Sequence, residues 1–100
     1  MFSRGGGNLT EDTWVNCLAN AKSEYVIVVK AYIDNRNLNF VVSVPKSTFA
    51  DGYIYGNGYY VSSNFYGLSA VLTSNGTNAF YILKNGVTES VTPTITYYYR

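Results

Sequence analysis

The sequence predicts a mainly β protein, a small antiparallel β-sandwich of six to eight short strands. Short apolar runs rich in β-branched and aromatic residues are separated by Asn- and Gly-rich turns, at a spacing typical of sandwiches and small barrels. Aromatic residues make up 17% of the 100-residue chain and charged residues only 13%, against about a quarter charged in a typical soluble domain. We expect residues 1–8 to form a flexible Gly-rich arm or linker, and residues 9–100 to form a single sandwich domain.

Residues 10–22 are compatible with two structures. Thr10 could cap a helix whose face would carry Trp14, Leu18 and Ala21. The β-branched and aromatic residues around Trp14 instead favour a strand. The sequence leaves open a short helix or a short strand followed by a helical turn.

The clearest hairpin covers residues 25–45. Residues 25–33 are apolar on both faces at first, which is typical of a central strand that is covered on both sides. Residues 34–37 have the polar composition of a turn. In residues 38–44 every even-numbered position is apolar, so these side chains form one apolar face. Pro45 ends the strand because it cannot donate a ladder hydrogen bond.

The second half of the chain carries three further turn signals. Gly56-Asn57-Gly58 predicts a tight hairpin loop, and Ser74-Asn75-Gly76 and Asn85-Gly86 predict two more turns. Pro93 marks a bulge or an edge. The remaining strands are therefore expected at residues 53–55, 59–64, 68–73, 77–84, 87–91 and 94–99.

Catalytic residue types are scarce. The chain has no histidine and one cysteine, which excludes a Ser-His-Asp or Cys-His nucleophile, an internal disulfide and a standard zinc site. Cys17 lies among apolar residues, as a buried structural thiol does. Asp51 and Glu89 could form a hydrolytic carboxylate pair, but exposed solubilising charges are the commoner role. We expect no enzymatic activity, no catalytic residues, no cofactor and no metal site.

Charge and hydropathy argue against nucleic acid as a partner and against insertion in a membrane. The net charge is +1 and the basic residues are scattered, so the sequence predicts no nucleic-acid partner. The longest apolar run, residues 25–29, is far shorter than the roughly 20 residues of a membrane helix. The N-terminal residues lack the apolar stretch of a signal peptide, so we expect synthesis in the cytoplasm and no membrane insertion.

Eleven tyrosines are the chain's most distinctive feature. A tyrosine offers a broad apolar ring with a hydrogen-bonding tip and few torsions to freeze, which suits contact surfaces as well as cores. Because strand residues alternate between faces, Tyr97 and Tyr99 should face one way and Tyr98 the other. The exposed rings would serve as the seam of a homo-oligomer or as a ligand platform. The candidate contact surface comprises Tyr53, Tyr55, Tyr59, Tyr60, Tyr66, Tyr97, Tyr98 and Tyr99.

Four segments together resemble a known family. They are Phe2-Ser3-Arg4-Gly5, the apolar strand of residues 25–29 that Tyr25 opens, Val42-Ser43-Val44-Pro45, and the aromatic ending at residues 95–99. In this order they resemble the small C-terminal β-domains of tailed-bacteriophage tail-fibre and baseplate proteins. The resemblance implies a non-enzymatic virion protein that forms homotrimers and attaches phage to host-surface glycans or proteins.

The leading hypothesis is therefore a self-assembling, receptor-binding-like structural protein of the virion, in contact with other virion proteins. From the start at Met1 we expect either a free-standing small protein or a piece cut from a longer one, in place of the tip of a long fibre. This expectation leaves a capsid decoration or head-fibre protein as one alternative. A cellular carbohydrate-binding module, expected to be a monomer, is the other.

Overall fold

A computed structural model describes residues 10–49, 52–74 and 78–100. The described residues form two antiparallel sheets and one short α-helix, which confirms the predicted mainly β sandwich. The predicted arm at residues 1–8 lies outside the described residues, so that expectation stays a prediction. In chain order, the elements are β1 (Thr10–Asp12), α1 (Trp14–Asn20), β2 (Glu24–Ile33), β3 (Arg36–Pro45), β4 (Tyr53–Val61), β5 (Asn64–Leu72), β6 (Asn78–Lys84), β7 (Val87–Thr88) and β8 (Thr94–Tyr99).

The strands are divided evenly between the two sheets. The first sheet has the order β1-β8-β2-β3, and the second has the order β4-β5-β6-β7. The closing strand β8 pairs with β1 on one side and with β2 on the other. The chain's aromatic ending therefore occupies an interior position in the first sheet.

One face of each sheet is buried in a common core. In β2, Ile27 and Val29 point inward, and in β5, Leu68 and Leu72 meet them from the opposite sheet. This follows from the period-two pattern, because alternate residues of a strand share a face. The core also includes Tyr25, Ala31, Ile33, Leu38, Phe40, Val42, Val44, Tyr66, Ala70 and Ile82.

Residues 10–22 form both a strand and a helix. β1 covers residues 10–12, and the N-cap position of the helix is Thr13 in place of the expected Thr10. The Thr13 side chain makes no capping hydrogen bond. The Trp14 ring lies 5.4–5.9 Å from the rings of Tyr25, Phe49 and Tyr97. Its indole Nε1 donates to the carbonyl oxygen of Thr73, 2.8 Å away. Burial of Trp14 outweighs the weak helix propensity of this segment, since short helices depend on tertiary packing.

Two of the predicted turns form, although the first is shorter than the predicted residues 34–37, because β3 already begins at Arg36. Asp34 and Asn35 have φ angles of 54° and 60°, and Asn85 and Gly86 have φ angles of 52° and 84°. Two successive residues with positive φ are the mark of the type I′ turn, whose twist matches that of the flanking strands. Residues 75–77, in the remaining predicted turn, lie outside the described residues.

The tight loop predicted at Gly56-Asn57-Gly58 is wrong. Strand β4 continues through these residues, and the chain turns instead at Ser62, which has a φ of 56°. Gly58 pairs with Gly67 of β5. A Cβ added at Gly58 would lie 2.5 Å from Cζ of Phe65 and 2.9 Å from the carbonyl oxygen of Tyr66. Gly58 thus provides space inside a strand for a neighbouring ring, one of the uses of strand glycine.

Neighbouring residues of β3 should respond very differently to truncation. Phe40 is 1% exposed in the core, whereas Val41 on the opposite face is 46% exposed. We expect Phe40→Ala to lower the free energy of unfolding by about 3–5 kcal/mol. The control Val41→Ala should cost under about 1 kcal/mol. Urea denaturation measures both, and similar losses would contradict the assigned strand register.

Candidate functional site

The predicted contact tyrosines do not share one surface. Tyr66 is only 1% exposed and belongs to the core, which corrects its assignment to the contact surface. Tyr53 and Tyr55 are in β4, and their side chains lie outside the described part of the chain. The other five are divided between the core side and the outer sides of the two sheets. On the core side are the half-buried Tyr59, Tyr97 and Tyr99, and on the outer sides are Tyr60 and Tyr98.

Tyr66 joins the two sheets. Its hydroxyl donates to the Asp34 carboxylate in the β2–β3 turn, and Nζ of Lys84 in β6 lies 2.8 Å from the same carboxylate oxygen. The hydrogen bond from Lys84, followed by that from Tyr66, lowers the pKa of the Asp34 carboxyl. Donation to Asp34 in turn raises the pKa of the Tyr66 hydroxyl. These groups form a structural tie, which we name the Asp34–Tyr66–Lys84 tie.

The three tyrosines of β8 alternate as predicted. The Tyr97 ring lies 5.4 Å from the Trp14 ring and 6.5 Å from the Phe80 ring, and Tyr99 also packs on the core. Tyr98 faces outward beside Val26 of β2. Its carbonyl oxygen accepts a hydrogen bond from the buried Cys17 thiol at 3.1 Å, which agrees with a structural role for this cysteine.

The outer face of the second sheet carries an aromatic patch, defined as Tyr60, Phe65, Tyr81 and Leu83. Tyr60 is 72% exposed, Tyr81 46% and Phe65 37%, while Leu83 is half-buried. The rings of Tyr60 and Phe65 meet edge to face at 4.9 Å. The Phe65 ring lies over Gly58, which pairs with Gly67, so no side chain of Gly58 or Gly67 rises between the strands at this point. An exposed aromatic surface of this kind suits contact with another protein surface.

Sequence reasoning missed three exposed aromatic residues, Tyr32, Phe65 and Tyr81. The alternation of inward and outward residues along a strand would have identified Tyr32 and Tyr81 as outward-facing. Tyr32 lies between the inward-facing Ala31 and Ile33, and Tyr81 lies between Phe80 and Ile82.

Tyr32 stands at a polar groove on the outer face of the first sheet. The ring is 60% exposed, and the groove has a volume of about 440 Å³. Its lining combines one aromatic ring, one ammonium group, two amides and two hydroxyl groups. The residues are Lys30, Ala31, Tyr32, Asn37, Asn39, Thr92 and Thr94, which together we name the Tyr32 groove.

The described residues do not test the carboxylate pair of Asp51 and Glu89 that the sequence leaves possible. Glu89 is half-buried, and its backbone N–H donates to the Ile82 carbonyl oxygen at 2.8 Å. Asp51 lies outside the described residues. Within the described ranges, His, Cys, Asp and Glu side chains form no group of three that could hold a metal ion. Nor does any described helix have the length and apolar character needed to cross a membrane.

Comparison of the chain with protein-family models, with curated proteins and with solved structures finds no match.

The Asp34–Tyr66–Lys84 tie predicts acid sensitivity. Because the pKa of Asp34 is lower in the folded state than in the unfolded chain, the tie stabilises the fold fully above the unfolded pKa of about 4. Its contribution should fall as the pH drops further, through the folded pKa. In Asp34→Asn we expect lower stability at pH 7 and a weaker loss between pH 5 and pH 2, measured by urea denaturation at each pH.

The variant Tyr66→Phe is the matched comparison, since it keeps the buried ring and removes only the donor. It should lose less stability than Asp34→Asn. An Asp34→Asn profile that runs parallel to the wild-type profile below pH 5 would show that the tie does not link folding to pH.

Proposed function

We propose that this chain is a non-enzymatic structural protein of a tailed-bacteriophage virion, a tail-fibre-like module that assembles with copies of itself and attaches to the host surface. The aromatic patch is the observation that carries the mode of action. The segment order resembling tail-fibre and baseplate β-domains supports the virion role.

The patch has the composition expected of a contact surface between proteins. Tyr and Phe are enriched in interface cores, and charged residues are depleted there. The four patch residues carry no charge, and they belong to three neighbouring strands of one sheet. A second copy of the chain would cover the exposed ring surfaces of Tyr60 and Tyr81 and bury them from water. Symmetric repetition of the module would then multiply weak contacts with a host surface into avid attachment.

A cellular carbohydrate-binding module is the second candidate, and the Tyr32 groove favours it. An exposed ring flanked by amides suits sugar recognition without any need for self-assembly. The two functions differ in oligomeric state, because the virion module is expected to be a trimer and the cellular module a monomer.

Light scattering tests self-assembly. We expect the wild-type chain to have a mass above that of the monomer, and we expect the double variant Tyr60→Ser with Phe65→Ser to shift to the monomer. The matched control is Tyr32→Ser, since Tyr32 is similarly exposed but lies on the other sheet. A wild-type chain that remains monomeric throughout the micromolar range would overturn self-assembly and favour the cellular module.

Binding of the protein to host cells distinguishes a role in host attachment from a role in capsid decoration. Fluorescently labelled wild-type protein should bind intact host cells, and the Tyr60→Ser, Phe65→Ser variant should bind less because it loses avidity. Tight binding to purified capsids with no binding to cells would contradict host attachment and assign the chain to capsid decoration.

A further inference from the structure

We infer that the Tyr32 groove is a binding site for an anionic saccharide, a pyranose unit that carries one carboxylate or phosphate. This deepens the attachment role and rests on it for its biological setting. The groove lies on the sheet opposite the aromatic patch, so the two sites can be tested separately.

The lining side chains follow from the strand register. Tyr32 pairs with Asn37 across β2 and β3, and Lys30 lies between Asn39 of β3 and Thr94 of β8. These side chains face away from the core, because their neighbours in the strands, Ala31 and Ile33 of β2 and Leu38 of β3, are buried on the other side. Three adjacent strands thus place one ring and four polar side chains on one surface, and Thr92 borders it from the segment before β8.

The Tyr32 ring supplies the apolar element of the site. Its face carries the negative part of the ring quadrupole, which attracts the polarised C–H groups on the flat side of a pyranose. The ring is 60% exposed, which leaves most of its surface accessible to a ligand. The Tyr32 hydroxyl makes a long hydrogen bond of 3.4 Å to Oδ1 of Asn35, which limits the orientations of the ring.

The amides and hydroxyls supply the polar element. Each of Asn37 and Asn39 offers two N–H donors and a carbonyl acceptor, and Thr92 and Thr94 each offer a hydroxyl that can donate or accept. Sugar hydroxyls need both kinds of partner. All four of these side chains are exposed, so their hydrogen-bonding groups are accessible to a ligand.

Charge selects an anionic ligand. Lys30 is the one charged residue in the groove lining, and it makes no ion pair within the described residues. The nearest acid along the chain, Asp34, is already paired with Lys84 and bonded by Tyr66. Arg36, the first residue of β3, adds positive charge near the Asp34 carboxylate and further lowers its pKa. A carboxylate or phosphate at Lys30 would therefore meet no described competing acid.

The groove is also held in shape before any ligand binds. Its floor is the regular β2–β3–β8 ladder, and the β2–β3 turn at its end is fixed to the second sheet by the Asp34–Tyr66–Lys84 tie. A site that is formed in advance loses less conformational entropy on binding, which raises the affinity that few contacts can provide.

Nuclear magnetic resonance titration tests the proposal with three probes: methyl glucuronide, methyl glucoside and glucose 6-phosphate. We expect saturable amide shifts at Lys30, Tyr32, Asn37 and Asn39 with the charged sugars, and weaker binding of the neutral glucoside. Methyl glucuronide binding more tightly than glucose 6-phosphate would identify a carboxylated sugar, and the reverse order a phosphorylated one.

Substitutions measure how much Tyr32 and Lys30 each contribute to sugar binding. Tyr32→Ala should weaken binding of the preferred sugar by about tenfold, while the control Tyr60→Ala should leave it unchanged. Lys30→Gln should reduce the preference for the charged sugar over the neutral one and its dependence on salt. No saturable binding of any probe, or equal affinity in Tyr32→Ala and wild type, would overturn the groove.

The outcome for the groove is separate from that for the proposed function. If wild-type protein adsorbs to host cells but binds none of the three sugars, the inference of saccharide binding at the groove is wrong, and the proposal of host attachment is unaffected. If the protein binds the charged sugar but neither self-assembles nor adsorbs to cells, saccharide binding at the groove is supported and the proposed attachment role is wrong.

Discussion

The alternation of side chains along each strand is the constraint on which the rest of this structure depends. With two stacked sheets, each strand commits one face to the common core and leaves the other outside. Phe40 and Val41 illustrate the result, because adjacent residues of β3 are buried and exposed. The same rule decides the role of the tyrosines: Tyr66 and Tyr97 stabilise the core side, whereas Tyr32 and Tyr60 are available for contact. The tyrosine-rich composition thus serves packing and surface chemistry together.

Two polar-aromatic contacts tie the sheets together at opposite ends. At one end, Trp14 packs on Tyr25 and Tyr97 of the first sheet and donates to Thr73, just beyond β5 of the second. At the other end, the Asp34–Tyr66–Lys84 tie joins the β2–β3 turn to β5 and β6. These contacts fix the relative position of the two sheets, which leaves their outer faces as separate surfaces. One outer face carries the aromatic patch and the other the Tyr32 groove.

The sequence predicts the fold class better than it predicts the site. Period-two patterns and polar turn residues identify the hairpin of β2 and β3 and the closing strand, because both signals are local. The hairpin loop predicted at Gly56-Asn57-Gly58 is wrong because glycine also occurs within strands where a neighbouring ring needs space. Here the Phe65 ring lies over Gly58. Tyr66 misled because its hydroxyl finds a partner, Asp34, that is 32 residues away in the chain. The groove could not be predicted at all, since the register that brings Lys30 beside Thr94 is a long-range pairing.

Residue-resolved tyrosine modification tests the central claim, that strand alternation divides the tyrosines between core and surface. Mild nitration of the native protein, followed by mass spectrometry of its peptides, reports how readily each ring reacts. We expect Tyr32 to react early, and Tyr25 and Tyr66, which are 3% and 1% exposed, to react only when the protein unfolds. Modification of Tyr66 at the same rate as Tyr32 under native conditions would contradict the assignment of faces.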